Sequence, residues 1–163
     1  MMKSNKNNYY AIIGIIILLA TARLLPHPPN FTPILGMAVF SGAIISRRLI
    51  AYLIPLAAML LSDLYLGLHS SIPIIYFSLA VCVLIGTFIE PRVSILNSFL
   101  GISLGVLVFF LITNFMVWYG SGMYEFSISG LMTCYFMGLP FVQNTFISSL
   151  LYGMGAFLVY DII

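Results

Sequence analysis

Long apolar runs, separated by short polar or proline-rich breaks, dominate the pattern of this chain. The runs are continuous and do not alternate every second residue, which is typical of membrane-spanning helices rather than barrel strands. The pattern therefore predicts an all-α fold, an integral membrane bundle of six transmembrane helices. The predicted helices cover residues 11–25, 32–46, 49–66, 72–89, 94–118 and 140–160.

The breaks between the runs predict where the chain turns. Pro26-His27-Pro28-Pro29-Asn30 indicates a stiff connector, because proline lacks a backbone donor and keeps the preceding residue out of helical geometry. Residues 119–138 are aromatic and glycine-rich, and we expect a long connection there with a short helix around residues 128–136. Residues 1–10 are polar and predict a disordered tail, so residues 11–163 form a single domain.

Composition excludes several classes of protein. The chain is 62% hydrophobic and only 6% charged, with a mean hydropathy of +1.14, which rules out a soluble domain of this size. The net charge of +2 is too small to indicate a nucleic-acid partner, so the expected partner is the lipid bilayer. Cys82 and Cys134 lack the spacing of a zinc site or of a disulfide framework. Neither a resident metal nor a cofactor is predicted.

The distribution of lysine and arginine predicts the orientation. With the N-terminus inside, five of the six positive residues fall on the cytoplasmic side, and these are Lys3, Lys6, Arg47, Arg48 and Arg92. Only Arg23 then lies toward the outside. This predicts a multi-pass protein of a bacterial inner membrane with both termini in the cytoplasm. A basic start followed by Ala20-Thr21-Ala22 is also typical of a cleaved signal peptide, whose removal would leave five helices in the same orientation.

Asp63 stands inside an otherwise apolar run, and an ionisable side chain at membrane depth costs roughly 2.5–3.5 kcal/mol on insertion scales. Such a residue is by default a candidate functional residue. Arg23 is predicted at a similar depth, so we expect the two side chains to lie within salt-bridge reach. The pair would either lock helix packing or anchor a ligand.

Other polar side chains collect in the same outer layer, whereas the inner halves of the helices carry little beyond serine and threonine. This favours a binding cup open to the outside over a continuous conduit, with the 119–138 connection as a lid and a tightly packed cytoplasmic half. The alternative role of Asn114 is that of a helix-packing amide. The alternative role of the aromatic 119–138 connection is that of an interfacial belt. The predicted ligand-binding residues are Arg23, His27, Asp63, His69, Asn114, Trp118, Tyr135 and Asn144.

Motifs for enzyme chemistry are absent from the sequence. It contains no HExxH, no GxSxG, no phosphate-binding loop and no spaced pair of carboxylates, so we predict that the chain is not an enzyme and hydrolyses no nucleotide. Cys82 and Cys134 are predicted as small buried hydrophobes, with ligation of a metal carried by the substrate as the alternative. Small residues spaced by four predict close helix packing, within the chain or against a partner: Ala38/Gly42, Ala58/Ser62, Gly101/Gly105 and Ser149/Gly153.

Three stretches together carry a resemblance: RLLPHPPNFTPILGMAVFSGA (residues 23–43), PLAAMLLSDLYLGLH (55–69), and FFLITNFMVWY with LMTCYFMGLPFVQNTF (109–119 and 131–146). They resemble a family of short six-helix bacterial membrane proteins labelled as candidate transport proteins. That family is distantly similar to the substrate-binding S components of energy-coupling-factor vitamin transporters. The resemblance implies an S-component-like fold, a ligand cup near the outer face, and a membrane coupling subunit with ATPases as partner. A solitary cobalamin-transporter branch of this kind ligates cobalt through a cysteine, which makes cobalamin one candidate substrate.

These observations favour a membrane-embedded substrate-binding transport protein that takes up a small vitamin-like molecule from the outer side. The alternative is a structural or assembly subunit of a membrane complex, whose polar layer only locks helices together. A membrane enzyme acting on lipid is the weakest reading, because no acid–base or nucleophile set is visible.

Overall fold

The apolar runs form helices throughout the computed structural model, which describes residues 6–90 and 93–162. Lys3 and Arg92, which entered the charge count, lie outside the described residues. The described helices are α1 (Lys6–Leu24), α2 (Ile34–Ile44), α3 (Arg48–Leu66), α4 (Ile72–Ile89), α5 (Ile95–Gly120), α6 (Ile128–Ser149), a π-helical turn (Leu150–Met154) and α7 (Gly155–Ile162).

Among the described residues, four helices are long and apolar enough to cross a membrane: Arg48–Leu66, Ile72–Ile89, Ile95–Gly120 and the continuous helix Ile128–Tyr160. Only 28–39% of each is buried inside the chain, so most of their apolar surface faces outward. Outward-facing apolar helices of this length indicate a membrane-embedded protein. The all-helical prediction is confirmed, whereas six full crossings stay a prediction, because α1 and α2 contribute shorter apolar helices.

The short helix α2 lies at the centre and packs against α3, α4, α5 and the last helix. Two glycines allow its contact with α4: a Cβ on Gly42 would strike the carbonyl oxygen of Val83, and one on Gly86 would strike that of Val39. Gly36 meets Gly153 in the π-helical turn in the same close manner. All eight small residues of the predicted spaced pairs are buried within the chain, which supports intramolecular packing.

A proline inside α3 explains how α2 and α3 are held together. Pro55 has no N–H, so the carbonyl of Ala51 loses its helical partner. The hydroxyl of buried Ser41 on α2 donates to that carbonyl oxygen at 2.9 Å. A backbone acceptor that lipid could not satisfy is thereby paired inside the bundle.

Two helix boundaries differ from the prediction by more than two residues. α1 begins at Lys6, inside the stretch predicted as a disordered tail. The predicted long connection over residues 119–138 is wrong, because α5 runs to Gly120 and α6 begins at Ile128. The Ser127 side chain caps α6 by accepting from the N–H of Gly130 at 3.1 Å, and the helix then continues through Pro140.

The ends of α1 and α3 meet the start of α4 through Arg23, Asp63 and Tyr76, and the start of α3 meets the end of α4 through Arg48 and Glu90, so the bundle has two ends. We call the end with residues 25–33, 67–71 and 121–127 the Arg23 end, and the end with residues 45–47, 90 and 93–94 the Arg48 end. If the Arg48 end faces the cytoplasm, the predicted tight packing of the cytoplasmic half is wrong there, because this end holds a cavity of about 490 Å³ between the start of α5 and α7. Its described walls include Ser94, Ser98 and Phe157.

Candidate functional site

An ion pair across two helices is the centre of the Arg23 end. Arg23 comes from the last turn of α1 and Asp63 from the last turn of α3, and Arg23 Nη1 lies 2.5 Å from Asp63 Oδ1. The Asp63 side chain is 1% exposed and that of Arg23 is 16% exposed. The predicted pairing is confirmed. Each charge offsets the desolvation of the other, which makes an acid at this depth tolerable.

Two further side chains complete the network around the carboxylate. Arg23 Nη1 also donates to Ser62 Oγ at 2.6 Å, and the Tyr76 hydroxyl on α4 donates to Asp63 Oδ2 at 2.9 Å. Both carboxylate oxygens therefore have partners, and α1, α3 and α4 meet at one point. The sequence-based set missed Tyr76 and Ser62. The predicted depth of Tyr76 could have identified it as a partner of Asp63, since the second turn of α4 lies opposite the last turn of α3.

Beside this network lies a cavity of about 230 Å³, which we call the Arg23 cavity. The ring nitrogens of His27 lie 3.0 Å from the carbonyl oxygen of Arg23 and 2.8 Å from that of Pro28, so His27 caps the end of α1 while bordering the cavity. Asp63 is not a wall residue. The walls are Arg23, His27, Asn30, Thr32, Ile34, Leu35, Met59, Leu66, Ile75, Leu79, Phe109 and Thr145.

A second cavity of about 180 Å³, which we call the Asn114 cavity, adjoins the first and shares Asn30, Phe109 and Thr145 with it. Asn114 Nδ2 donates to the Phe110 carbonyl oxygen at 3.0 Å, so the nitrogen of this amide is bonded to its own helix. The oxygen of the same amide is Oδ1. Gly138 is needed beside it, because a Cβ there would lie 2.6 Å from Asn114 Oδ1. The remaining walls are Val106, Phe110, Thr113, Val117, Phe141 and Val142.

The α1–α2 loop is fixed over these cavities by contacts with α6. Asn144 Nδ2 donates to the Pro29 carbonyl oxygen at 2.9 Å. The next residue, Asn30, has a φ of 61°, a left-handed conformation that asparagine tolerates better than most residues. Nearer the start of α6, the Tyr135 hydroxyl donates to the Leu111 carbonyl oxygen at 2.8 Å. Asn144 and Tyr135 thus brace the site without lining either cavity.

Two predicted site residues lie elsewhere at this end. Trp118 stacks on Phe126 with ring centroids 4.6 Å apart, and its Nε1 donates to the Glu125 carbonyl oxygen at 3.0 Å. These contacts close the short α5–α6 loop, so the structure brings no 20-residue lid over the cavities. His69 is exposed on the α3–α4 loop and is a wall residue of neither cavity.

Both cysteines are buried in helix contacts. The thiol of Cys82 donates to the Gly105 carbonyl oxygen at 3.5 Å, and that of Cys134 donates to the Asn114 carbonyl oxygen at 3.3 Å. Neither borders the Arg23 or the Asn114 cavity, so a metal carried by a ligand there would not meet a thiol. In the described ranges, no group of three His, Cys, Asp or Glu side chains could hold a metal ion.

Comparison with known proteins gives a family without an assigned activity. A family model described as a family of unknown function (DUF6580) matches residues 3–163. No curated protein and no solved structure matches the chain. Any functional conclusion therefore depends on the geometry of the site.

Proposed function

We propose that this chain, which belongs to the DUF6580 family, is a membrane-embedded substrate-binding transport protein that captures a small vitamin-like molecule at its Arg23 end. One observation carries the proposal: two adjoining cavities share three walls there, and each has polar groups among mostly apolar ones. Concave, mainly apolar sites with a few placed polar groups are typical of small-molecule binding.

The length of α2 supports a site at this depth. Eleven helical residues span about 16 Å, roughly half of a ~30 Å hydrocarbon core. If the Ile44 end of α2 lies at one membrane surface, its Ile34 end would therefore lie within the hydrocarbon core, and the α1–α2 loop would be irregular backbone at membrane depth. Irregular backbone at membrane depth is tolerated where protein buries it or where it lines a cavity.

The size of the cavities limits the substrate. Each cavity alone is smaller than the roughly 300 Å³ at which sites for drug-sized ligands begin, whereas the two together exceed it. Cobalamin is far larger than a drug-sized molecule, and the cysteines lie outside the walls. The site favours a smaller vitamin-like compound.

Charge and connectivity suggest how such a protein would work. Arg47 and Arg48 lie at the Arg48 end, so under the positive-inside rule that end and both termini would face the cytoplasm, with a bacterial inner membrane as the proposed location. The Arg23 end then faces outward. The sequence has no nucleotide-binding motif, so ATP-driven uptake would require a membrane coupling subunit with ATPases.

A structural or assembly subunit is the second candidate, and one observation favours it. Both oxygens of Asp63 are already satisfied inside the chain, as expected if the network only locks α1, α3 and α4 together. Only a binding protein requires that a ligand can enter its cavities, and this requirement distinguishes the two functions.

Native mass spectrometry of the full chain, purified in nanodiscs from its own host, tests the proposal. We expect a co-purifying small molecule that Thr145→Phe expels, because Thr145 borders both cavities. Thr133→Phe is the matched control, since Thr133 is an exposed residue of the same helix with the same hydroxyl-to-backbone bond one turn back. A chain without a co-purifying molecule, or an equal effect of both substitutions, would favour the structural subunit.

A further inference from the structure

We infer that the molecule bound at the Arg23 end carries no positive charge and presents a carbonyl or carboxylate oxygen to Arg23. This inference rests on the proposed function and names the substrate class of the same site. It follows from the unused donors of the guanidinium, from the charges around the cavities, and from the Asn114 amide in the adjoining cavity.

The guanidinium of Arg23 has N–H donors that no acceptor among the described residues uses. It carries five N–H groups, two of them on Nη1. Nη1 serves Ser62 and Asp63, and in the described part of the chain no acceptor bonds to Nε or Nη2 of Arg23. Arg23 is a wall residue of its cavity, so three donors in a planar fork are available at a partly buried site. Such a fork matches the two lone-pair directions of a carbonyl or carboxylate oxygen.

The charges around the cavities select against cations. Arg23 and His27 are the titratable groups in the described walls, and no Lys, Asp or Glu joins them. The carboxylate that balances Arg23 lies behind it, 1% exposed, with one oxygen held by Arg23 and the other by Tyr76. An ammonium group would meet a guanidinium without reaching a carboxylate, whereas an oxygen acceptor would find donors.

The adjoining Asn114 cavity adds a second requirement. Asn114 Nδ2 is committed to its own helix, and no donor from the described residues bonds to Oδ1. Oδ1 can therefore accept from a hydroxyl or N–H of a ligand that extends past Phe109 and Thr145. The apolar walls between the two polar points suit a hydrocarbon or ring body. The inferred substrate is a small, mostly apolar molecule with an acceptor at one end and a donor at the other.

A series of probes with one carbon skeleton tests the acceptor requirement. The full chain in phosphatidylcholine nanodiscs is titrated calorimetrically with 4-phenylbutanoate, 4-phenylbutanamide and 4-phenylbutan-1-amine, and the heats from empty nanodiscs are subtracted. We expect the carboxylate and the amide to bind about tenfold or more tightly than the amine, since a hydrogen bond to a charged group replaces like-charge repulsion. Equal binding of the amine, or saturable binding by none of the three, would overturn the inference.

Neutral replacement of the ion pair shows whether Arg23 is responsible. In an Arg23→Gln/Asp63→Asn double variant, the preference for the carboxylate over the amine should collapse, while Arg48→Gln/Glu90→Gln at the other end should retain it. A preference unchanged in the first variant would also contradict the inference. Thr145→Phe gives an independent check without touching the ion pair, because it should block all three probes. The host molecule seen by mass spectrometry decides the proposed function separately, so either idea can fail alone.

Discussion

Arg23 and Asp63 form an ion pair of the same length as the pair between Arg48 and Glu90, 2.5 Å in both, but in a different environment. The side chains of the first pair are 16% and 1% exposed, and those of the second are 50% and 35% exposed. A buried charge without its partner is costly, whereas an exposed one is solvated by water. The two pairs should therefore respond very differently to mutation.

Single substitutions of the buried pair should destabilise the chain more than the double substitution. Arg23→Gln or Asp63→Asn alone should lower the free energy of unfolding by about 3–5 kcal/mol, because each strands a buried group, while the double variant should lose less. Unfolding in mixed micelles, followed by circular dichroism, measures this. The matched variants Arg48→Gln and Glu90→Gln should change it by about 0–1 kcal/mol. A double variant worse than either single would contradict the pairing.

Tyr76→Phe should destabilise the bundle through the carboxylate it no longer contacts. The Tyr76 hydroxyl donates to charged Asp63 Oδ2, so its loss should cost about 1.5–3 kcal/mol. Tyr135→Phe is the control, since its hydroxyl donates to an uncharged backbone carbonyl and its loss should cost about 0.5–1.5 kcal/mol. The same unfolding assay compares the two, and a larger loss for Tyr135→Phe would argue against a central role for Tyr76.

Alanine at the α2–α4 contact should push the two helices apart. In both Gly42→Ala and Gly86→Ala, the new methyl group meets a backbone oxygen that no side-chain rotation can move. We expect each to lower the melting temperature, with a loss of about 1–3 kcal/mol from overpacking. Gly14→Ala serves as the control, because nothing lies within 4 Å of its added Cβ. If all three variants melt together, the close contact of α2 with α4 is not a determinant of stability.

Reporter fusions test the proposed orientation. If the proposed six crossings and the positive-inside rule hold, fusions at residue 6 and after Ile163 should both report a cytoplasmic location, on the same side as Arg47 and Arg48. An extracytoplasmic C-terminus would exclude six crossings. Loss of an N-terminal tag during maturation would favour the signal peptide instead.

Sequence patterns predicted the helices and the central pair well, for identifiable physical reasons. With charges at only 6% of residues, an Arg and an Asp at matching depth have few alternative partners. Apolar runs broken by proline and glycine also mark helix limits, as at the loop before α2. These signals are local, or depend only on depth.

What the sequence could not predict depends on contacts between helices. Pro140 favours the start of a helix, and only the cap at Ser127 and the packing of α6 make it an interior residue. In the sequence alone Tyr76 is an ordinary aromatic residue, because its bond to Asp63 depends on how α4 packs against α3. The predicted ligand-binding residues also turn out to have different roles, which only the arrangement of the helices shows. Arg23 lines a cavity, Asn144 holds the α1–α2 loop, and Trp118 contacts the α5–α6 loop.

The shortness of α2 has an electrical consequence. Where water reaches the α1–α2 loop, the insulating layer beneath it is reduced to about the 16 Å length of α2, so the membrane voltage drops over a shorter path there. A full elementary charge crossing the whole field exchanges about 2.3 kcal/mol per 100 mV. A carboxylate ligand held at Arg23 would therefore have crossed part of that field on entering, and its affinity would vary with membrane voltage, whereas that of an uncharged amide would not.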